Sequence, residues 1–511
     1  MEFLQNASGR KVPSEQAGRK IRPYEGKLAQ PIYPSLQKKV HMSSGPKVSG
    51  SLEEAIKSVG LSDGMTVSFH HCLRNGDDVM NMVIETIARM GIRNIRMAQS
   101  ALFPKQEPLI EHINNGVITR IEGSMNGPVG AEVSKGVLKA PAVLRTHGGR
   151  ARAIETGELK IDVAFLAASQ ADEYGNFTGI VGKSAFGPMG FAFADAWYAD
   201  NVVVITDNLV TYPSLPISIQ ECYVDYVVKV DSIGSPEGIA SGTTKVTTDP
   251  DRLRIAEQVV DIIELSGLLK DDFSFQAGAG GTSLAVVKFL HERMKDKGIV
   301  GSFAVGGVTE LVTDMLHDGT IKAIIDAQAF DLAAVESLRD DTNHVEVSHY
   351  HLMNPHTRGC VVSHQDVCFL GATEVDVNFN VNVNTHSNGI LLHGTGGHSD
   401  AASGSRICFI VAPVYRKTNP IVRDSVTTIT TPGSDVDVIV TDSGIAINPI
   451  RKDLMEKVED SKLPITTIEE LRDMAYEATG GPQDLELMED IIALIEYRDG
   501  TILDTIWKVK E

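Results

Sequence analysis

This chain reads as an α/β protein built from two tandem, related halves, each holding a mostly parallel sheet covered on both faces. Three observations predict it. Near-continuous apolar runs at 65–70, 161–166, 201–205 and 226–230 alternate with segments of helical period, the pattern of buried parallel strands joined by crossover helices. Glycine- and Asx-rich turns close these runs. The opening pattern Val67-Ser68-Phe69, loop, helix returns as Phe273-Ser274-Phe275, loop, helix. The 511 residues, 42% hydrophobic, are ample for large cores.

Residues 1–50 stand apart. They hold nine Lys/Arg against three acids, several prolines and no sustained period, so they read as an irregular basic arm. Two uses are open: a strap packed on the chain's own acidic body, or an arm that docks a partner subunit. The first α/β domain spans 51–235. Its first strand leads through Asn75-Gly76-Asp77 into a helix over 78–90, with Val79, Met82, Val83 and Ile87 on one face. Residues 231–248, rich in Ser, Gly, Thr and Pro, mark the boundary. The second domain, 249–511, opens on a helix with Asp249 as N-cap and Pro250 at its first position. Residues 374–382 alternate apolar and polar, as an antiparallel or edge strand would. Near the end, Thr467-Ile468-Glu469-Glu470 fits a capping box. Asp499-Gly500, between 491–497 and 501–507, predicts a terminal β-hairpin with a type I′ turn.

A formal charge of −20 repels nucleic acid and anionic membrane, so neither is expected as a partner. A local basic pocket would still accept an anionic substrate. The five cysteines, Cys72, Cys222, Cys360, Cys368 and Cys408, form no C-x-x-C pair and read as reduced thiols. No apolar run reaches the roughly 18–20 residues that span a bilayer, and the polar N-terminus shows no secretory pattern. The expectation is a soluble, cytoplasmic protein.

Several segments bear chemistry. The sharpest is Gly278-Ala279-Gly280-Gly281-Thr282-Ser283, between a strand-like run and a helix-like one. Glycine lets backbone N–H groups approach a ligand, and a helix start leaves N–H donors unpaired. A dinucleotide fingerprint would need glycine or alanine at Ser283, and a P-loop would need a Gly-Lys-Ser/Thr end. A carboxylate, an oxyanion, or a plain tight turn remain open. Asp172, Gly175 and Asn176 form a hydrogen-bonding turn at the carboxyl end of a strand, where ligands gather in open α/β sheets. His70, His71, Arg74 and Asn75, with Arg145, His147 and Arg150, suit a polycarboxylate, because guanidinium groups bind carboxylates bidentately. Ion-paired arginines are the other reading. Gly394, Gly396, Gly397 and Asp400 make a further glycine-rich turn. His349-x-His351 would point two imidazoles from one face of a strand, but no third ligand sits at a diagnostic spacing, so no metal is expected. Cys72 beside His71 is a poor thiol dyad, since such partners meet in space rather than in sequence.

Together the Gly278-Ala279-Gly280 turn, the Ala171-Asp172-x-x-Gly175-Asn176 loop and the Gly394-x-Gly396-Gly397-x-x-Asp400 turn resemble the coenzyme A transferases, whose fold joins two related α/β halves. Over nearly its whole length the chain is more closely similar to the citrate lyase alpha subunit family, the citrate:acyl-carrier-protein transferases. That similarity rests on Ser68-Phe69-His70-His71-Cys72-Leu73-Arg74-Asn75-Gly76-Asp77, on Gly123-Ser124-Met125-Asn126-Gly127-Pro128-Val129-Gly130, and on Gly389-Ile390-Leu391-Leu392-His393-Gly394-Thr395-Gly396-Gly397-His398-Ser399-Asp400. Many coenzyme A transferases carry a catalytic glutamate after the glycine turn. Here Gly306 stands near that place, with Glu310 at the start of the following helix.

The resemblance implies two related coenzyme A transferase-like domains. It also implies an acyl-exchange transferase that moves a carrier-protein or coenzyme A thiol from acetyl to citrate, giving citryl thioester and acetate without a glutamyl thioester. The oxyanion donors are then backbone N–H groups of Gly278, Ala279, Gly280 and Gly281. Citrate falls to His70, His71, Arg74, Asn75, Arg145, His147 and Arg150, and the coenzyme A thioester to Asp172, Asn176, Gly394, Gly396, Gly397 and Asp400. No covalently bound cofactor is expected; acetyl-CoA, or the CoA-like prosthetic group of an acyl carrier protein, is substrate. The implied partners are the beta (lyase) and gamma (acyl carrier) subunits, with a homo-oligomer inside a larger complex. The alternatives are a transferase for citramalate or another carboxylate, a CoA-thioester hydrolase, and a non-catalytic ligand-binding regulator on the same fold.

Overall fold

A computed structural model describes residues 2–27, 45–240, 245–278 and 280–510. Its first sheet has seven strands: β1 (Val48–Ser49), β2 (Thr66–Ser68), β3 (Ile95–Met97), β4 (Ile118–Ile121), β5 (Val163–Ala168), β6 (Asn201–Thr206) and β7 (Tyr226–Lys229). They lie in the order β1-β7-β6-β5-β2-β3-β4 and every pairing is parallel. The central strand β5 is buried at every residue, which is why its sequence reads as an unbroken apolar run.

The second sheet has nine strands: β8 (Ser274–Ala277), β9 (Gly301–Val308), β10 (Ile321–Ala329), β11 (His344–Glu346), β12 (Val367–Gly371), β13 (Ile407–Val411), β14 (Val438–Val440), β15 (Ile445–Ile447) and β16 (Ile465–Thr466). Their order is β11-β10-β9-β8-β12-β13-β14-β15-β16, parallel through β14, after which β15 turns antiparallel. The run β4-β3-β2-β5-β6-β7 therefore matches β10-β9-β8-β12-β13-β14. The repeat seen in Val67-Ser68-Phe69 and Phe273-Ser274-Phe275 marks equivalent central strands, β2 and β8.

A finer repeat lies in the loops. Asp172 Oδ1 accepts the N–H groups of Tyr174, Gly175 and Asn176, and Asn176 Nδ2 returns a bond to Asp172 Oδ2 at 2.8 Å. In the other half, Asp376 Oδ1 accepts from Asn378 and Asn380, and Asn380 Nδ2 donates to Asp376 Oδ2 at 3.1 Å. Residues 374–382 are thus not one strand. They form a short antiparallel pair, Glu374–Asp376 with Val381–Asn382, closed by this Asx loop.

Local signals located the helix ends well. Asp249 caps the helix Pro250–Ser266 through the N–H groups of Asp251 and Arg252. Thr467 and Glu470 form the reciprocal capping box ahead of Ile468–Thr479. The terminal hairpin, Leu487–Glu496 with Ile502–Val509, is present, but its turn is not type I′. That turn needs left-handed backbone at both central residues, and of Asp499 and Gly500 only Gly500 (φ +89°) has it. The hairpin crosses back to the first half, pairing in parallel with Ala142–Leu144.

The described part of the arm is ordered as two short hairpins rather than irregular. It packs on the chain's own terminal hairpin: Asn6 Nδ2 donates to Ile502 O at 3.1 Å, Arg10 pairs with Asp504 at 3.3 Å, and Arg19 pairs with Glu496 at 2.6 Å. Residues 28–44 of the arm, 241–244 of the boundary segment and Ala279 of the glycine turn lie outside the described residues. No helix among the described residues is long and apolar enough to cross a membrane.

Candidate active site

A cavity of about 600 Å³ opens where the carboxyl ends of strands from both sheets meet. The first half contributes His71 and Arg74 from the loop after β2, Phe103, Ser124, Asn126, and His147 at the start of the helix His147–Glu155. The second half contributes Gln276, Ala277 and Gly278 at the end of β8, Gly306 and Gly307 in β9, Gln328 and Phe330 at the end of β10, and the 393–398 turn. Carboxyl strand ends are where open α/β sheets place ligands. Among the described residues lining the cavity there is no Asp or Glu.

Three imidazoles gather on one wall around Phe191. Its ring centroid lies 4.2 Å from His71, 4.7 Å from His147 and 3.7 Å from His349. His147 and His349 are 5.0 Å apart. Burial is the main cause that keeps all three neutral: His147 is pushed down to about 3, with Arg150 adding repulsion, and His71 and His349 fall well below the ordinary range. Ser100 Oγ accepts the His71 backbone N–H and meets His71 Nδ1 at 2.6 Å, which fits the tautomer with its proton on Nε2. Both ring nitrogens of His349 are buried without a hydrogen-bond partner among the described residues. Arg74 supplies the cavity's guanidinium, lying 4.0 Å above the Phe330 ring, and burial pulls its pKa down to about 10. A guanidinium and neutral imidazole N–H donors, with no acid among the described lining residues, are chemistry that suits a carboxylate.

His71, Arg74, His147, Gly278, Gly394, Gly396 and Gly397 therefore come together as cavity residues. Other expected ligands do not. His70 is a core residue whose Nε2 meets Ala167 O at 2.9 Å. Asn75 is exposed and accepts the Lys105 N–H. Arg145 is buried between Glu122 (2.6 Å) and Glu496 (3.0 Å). Arg150 is buried against Asp195 at 2.8 Å and also donates to Ser68 Oγ and Ala98 O. Their charges are neutralised inside the fold, so the ion-paired reading holds for both. Asp172 and Asn176 bond each other within their loop, and they also meet the Ser214 N–H and Glu221. Asp400 clasps the helix His147–Glu155, accepting the Gly148 N–H at 2.8 Å and the Thr146 hydroxyl at 3.0 Å, and it faces Arg498 at 3.3 Å.

The glycine turn is partly recast. Gly278 lines the cavity, but its N–H is taken by Phe369 O at 3.1 Å, so it is not free to bind an oxyanion. Gly280, with φ +138°, is the N-cap of the helix Gly281–Lys297, whose first N–H groups lack intrahelical acceptors. His349 is buried at the start of the short helix His349–Met353 rather than on a strand, and His351 is exposed, so the two do not converge on a metal. Gln276, Gln328 and Phe330 gave no sequence signal. Ser124, Asn126, His393 and His398 lay inside the runs that carried the family resemblance and could have been singled out there.

Two α/β halves of one strand order, meeting at a cavity beside a glycine turn, define a coenzyme A transferase-like protein. The family model "Citrate lyase, alpha subunit" matches residues 45–509. The citrate lyase alpha chain of Haemophilus influenzae is 45% identical over 466 residues, 91% of this chain and 93% of that protein. That of Klebsiella pneumoniae is 45% identical over 465 residues, 91% and 92% of the two chains. A solved structure described as the alpha subunit of citrate lyase from Streptococcus mutans, in complex with citrate, superposes with a TM-score of 0.96 at 45% identity, covering 99% of this chain and 100% of that one. The fold extends to a malonate decarboxylase alpha subunit from Acinetobacter baumannii, with a TM-score of 0.62 at 14% identity over 84% of this chain and 86% of that one. The chain belongs to the citrate lyase alpha subunit family, a family of enzyme subunits.

Proposed function

We propose that this subunit exchanges acyl groups on a thioester: a citrate carboxylate replaces acetate on the thiol of coenzyme A or of the CoA-like arm of an acyl carrier protein. The observation that carries the reading is the cavity itself, cationic at Arg74, lined by imidazole donors and free of carboxylates among its described residues. On this reading the negatively charged nucleophile is the substrate's own carboxylate. Citrate supplies it, and the relative from Streptococcus mutans is described in complex with citrate.

The chemistry balances without a protein-bound intermediate. A citrate carboxylate oxygen attacks the acetyl carbonyl; the tetrahedral oxyanion collapses to an acetyl–citryl anhydride and expels the thiolate. The thiolate then attacks the citryl carbonyl, and acetate leaves. Holding two acyl groups in register is the larger task, with charge stabilisation second. Arg74, His71 and His147 are assigned to citrate. The N–H groups at the start of the helix Gly281–Lys297 are assigned to the oxyanion. The 394–397 turn, which lines the cavity and packs against Ser124 at Gly394, is assigned to the thioester arm. Neighbouring Gly306 has φ +112°, and a Cβ there would lie 2.8 Å from Ala277 O, so a side chain does not fit without rearrangement.

The beta and gamma lyase subunits are the proposed partners, as the family implies. Full-length protein incubated with acetyl-CoA and citrate is expected to release acetate and form citryl-CoA. Exchange with citramalate but not citrate, or hydrolysis of acetyl-CoA without exchange, would overturn the assignment.

A further inference from the structure

The end of β10 grips the loop that carries Arg74, and we propose that Gln328 and Phe330 are positioning residues that aim the Arg74 guanidinium at the substrate carboxylate. The inference rests on the reading of Arg74 as a citrate ligand. Gln328 lies in β10 and Phe330 one residue beyond its end, and both reach across to the first half. Gln328 Nε2 donates to His71 O at 3.3 Å, holding the start of the loop. The Phe330 ring lies 4.0 Å below Arg74 Cζ, and Phe103 flanks the same guanidinium at 5.4 Å. Stacking on ring faces fixes the plane in which a guanidinium presents its N–H groups.

Two backbone features show that this contact is built. Arg74 has φ +51°, in the left-handed region that an arginine rarely adopts, so its local chain alone is a poor support for that geometry. Packing from the other half supplies the support. Opposite, a β-bulge falls between Gly306 and Gly307 in β9, and a Cβ on Gly307 would overlap the Phe330 ring. Gly307 is thus the space into which the ring fits, while the Phe330 N–H is pinned to Val308 O at 2.8 Å. The cationic centre belongs to one half of the molecule, and its aim is set by the other.

The test measures citrate and acetyl-CoA dissociation constants by calorimetry on the full chain, with circular dichroism and melting to establish folding. Phe330→Leu is expected to weaken citrate about tenfold and leave acetyl-CoA within twofold, while Phe330→Tyr, which keeps the ring face, restores citrate binding. Gly307→Ala should mimic Phe330→Leu by displacing the ring. Arg74→Lys should weaken citrate at least as much, and the Phe330→Leu effect should vanish in the Arg74→Lys background. If Arg74→Lys leaves citrate binding unchanged, the reading of Arg74 falls and this inference with it. If Arg74→Lys weakens citrate but Phe330→Leu does not, or if Leu and Tyr weaken it equally, the positioning role alone is overturned.

Discussion

At the scale of single residues, burial decides what each polar group does. Arg145 and Arg150 looked like substrate ligands because sequence shows guanidinium groups without their partners. Arg150 meets Asp195, and Arg145 meets Glu496 from the far end of the chain. His147 and Arg74 carried the same kind of signal, and both line the cavity. Gly280 has φ +138° and nothing near the position of a Cβ, so a side chain there is excluded by backbone conformation rather than by collision. Gly280→Val is expected to re-aim the helix-start N–H groups, cutting transfer about 10²–10³-fold while costing roughly 1–3 kcal/mol of stability. A folded variant with normal turnover in the acetyl-exchange assay removes the oxyanion role. His147 makes a second test. It stays neutral in the fold down to about 3 but takes a proton near 6.5 when unfolded. The unfolded state therefore binds more protons in that window, so stability is intact above about 6.5 and is lost as pH falls toward 3. Asp77 and Glu346, which burial pushes up to about 7, act in the opposite direction, and they are common to wild type and variant. The urea midpoint of His147→Gln should decline less steeply than wild type between pH 6.5 and 4. Parallel decline would show that His147 is not the titrating group.

At the scale of elements, what was legible was local. The cap at Asp249, the capping box at Thr467 and the apolar runs of β5 to β7 all state their structure within a few residues. What was not legible was pairing between distant segments. The terminal hairpin was visible as a hairpin, but nothing in its own residues names Ala142–Leu144 as the neighbour. The reason lies in charge. Glu496, fully buried on that hairpin, accepts from Arg145, Arg152 and Arg19. Burial opposes its ionisation, yet Arg145, Arg19 and Arg152 together hold its carboxyl down to about 2. Its contribution is therefore present above about 4.3 and lost as pH falls toward 2. Glu496→Ala leaves buried guanidinium groups short of a counter-charge and is expected to cost about 3–5 kcal/mol, read as a lowered urea midpoint by Trp507 fluorescence. A loss below about 1 kcal/mol, the worth of a surface pair, would show that the network does not fasten the hairpin.

For the whole molecule, duplication explains both the success of the sequence reading and its gaps. Two copies of one strand order were legible in Val67-Ser68-Phe69 and Phe273-Ser274-Phe275. The Asp172–Asn176 and Asp376–Asn380 loops repeat one hydrogen-bonded device in the two halves. The working cavity lies between the copies and draws on both, so Gln276, Gln328 and Phe330 gain a role only once the halves meet. Its described lining residues include no carboxylate, and the proposed role of citrate as nucleophile rests on that. A single turnover with acetyl-CoA and citrate labelled with oxygen-18 in its carboxylates tests that most directly. The direct route predicts acetate carrying one citrate-derived label in the first turnover, with the protein unlabelled. Unlabelled first-turnover acetate, with label accumulating on the protein, would mean that a side-chain carboxylate attacks first and would contradict the account.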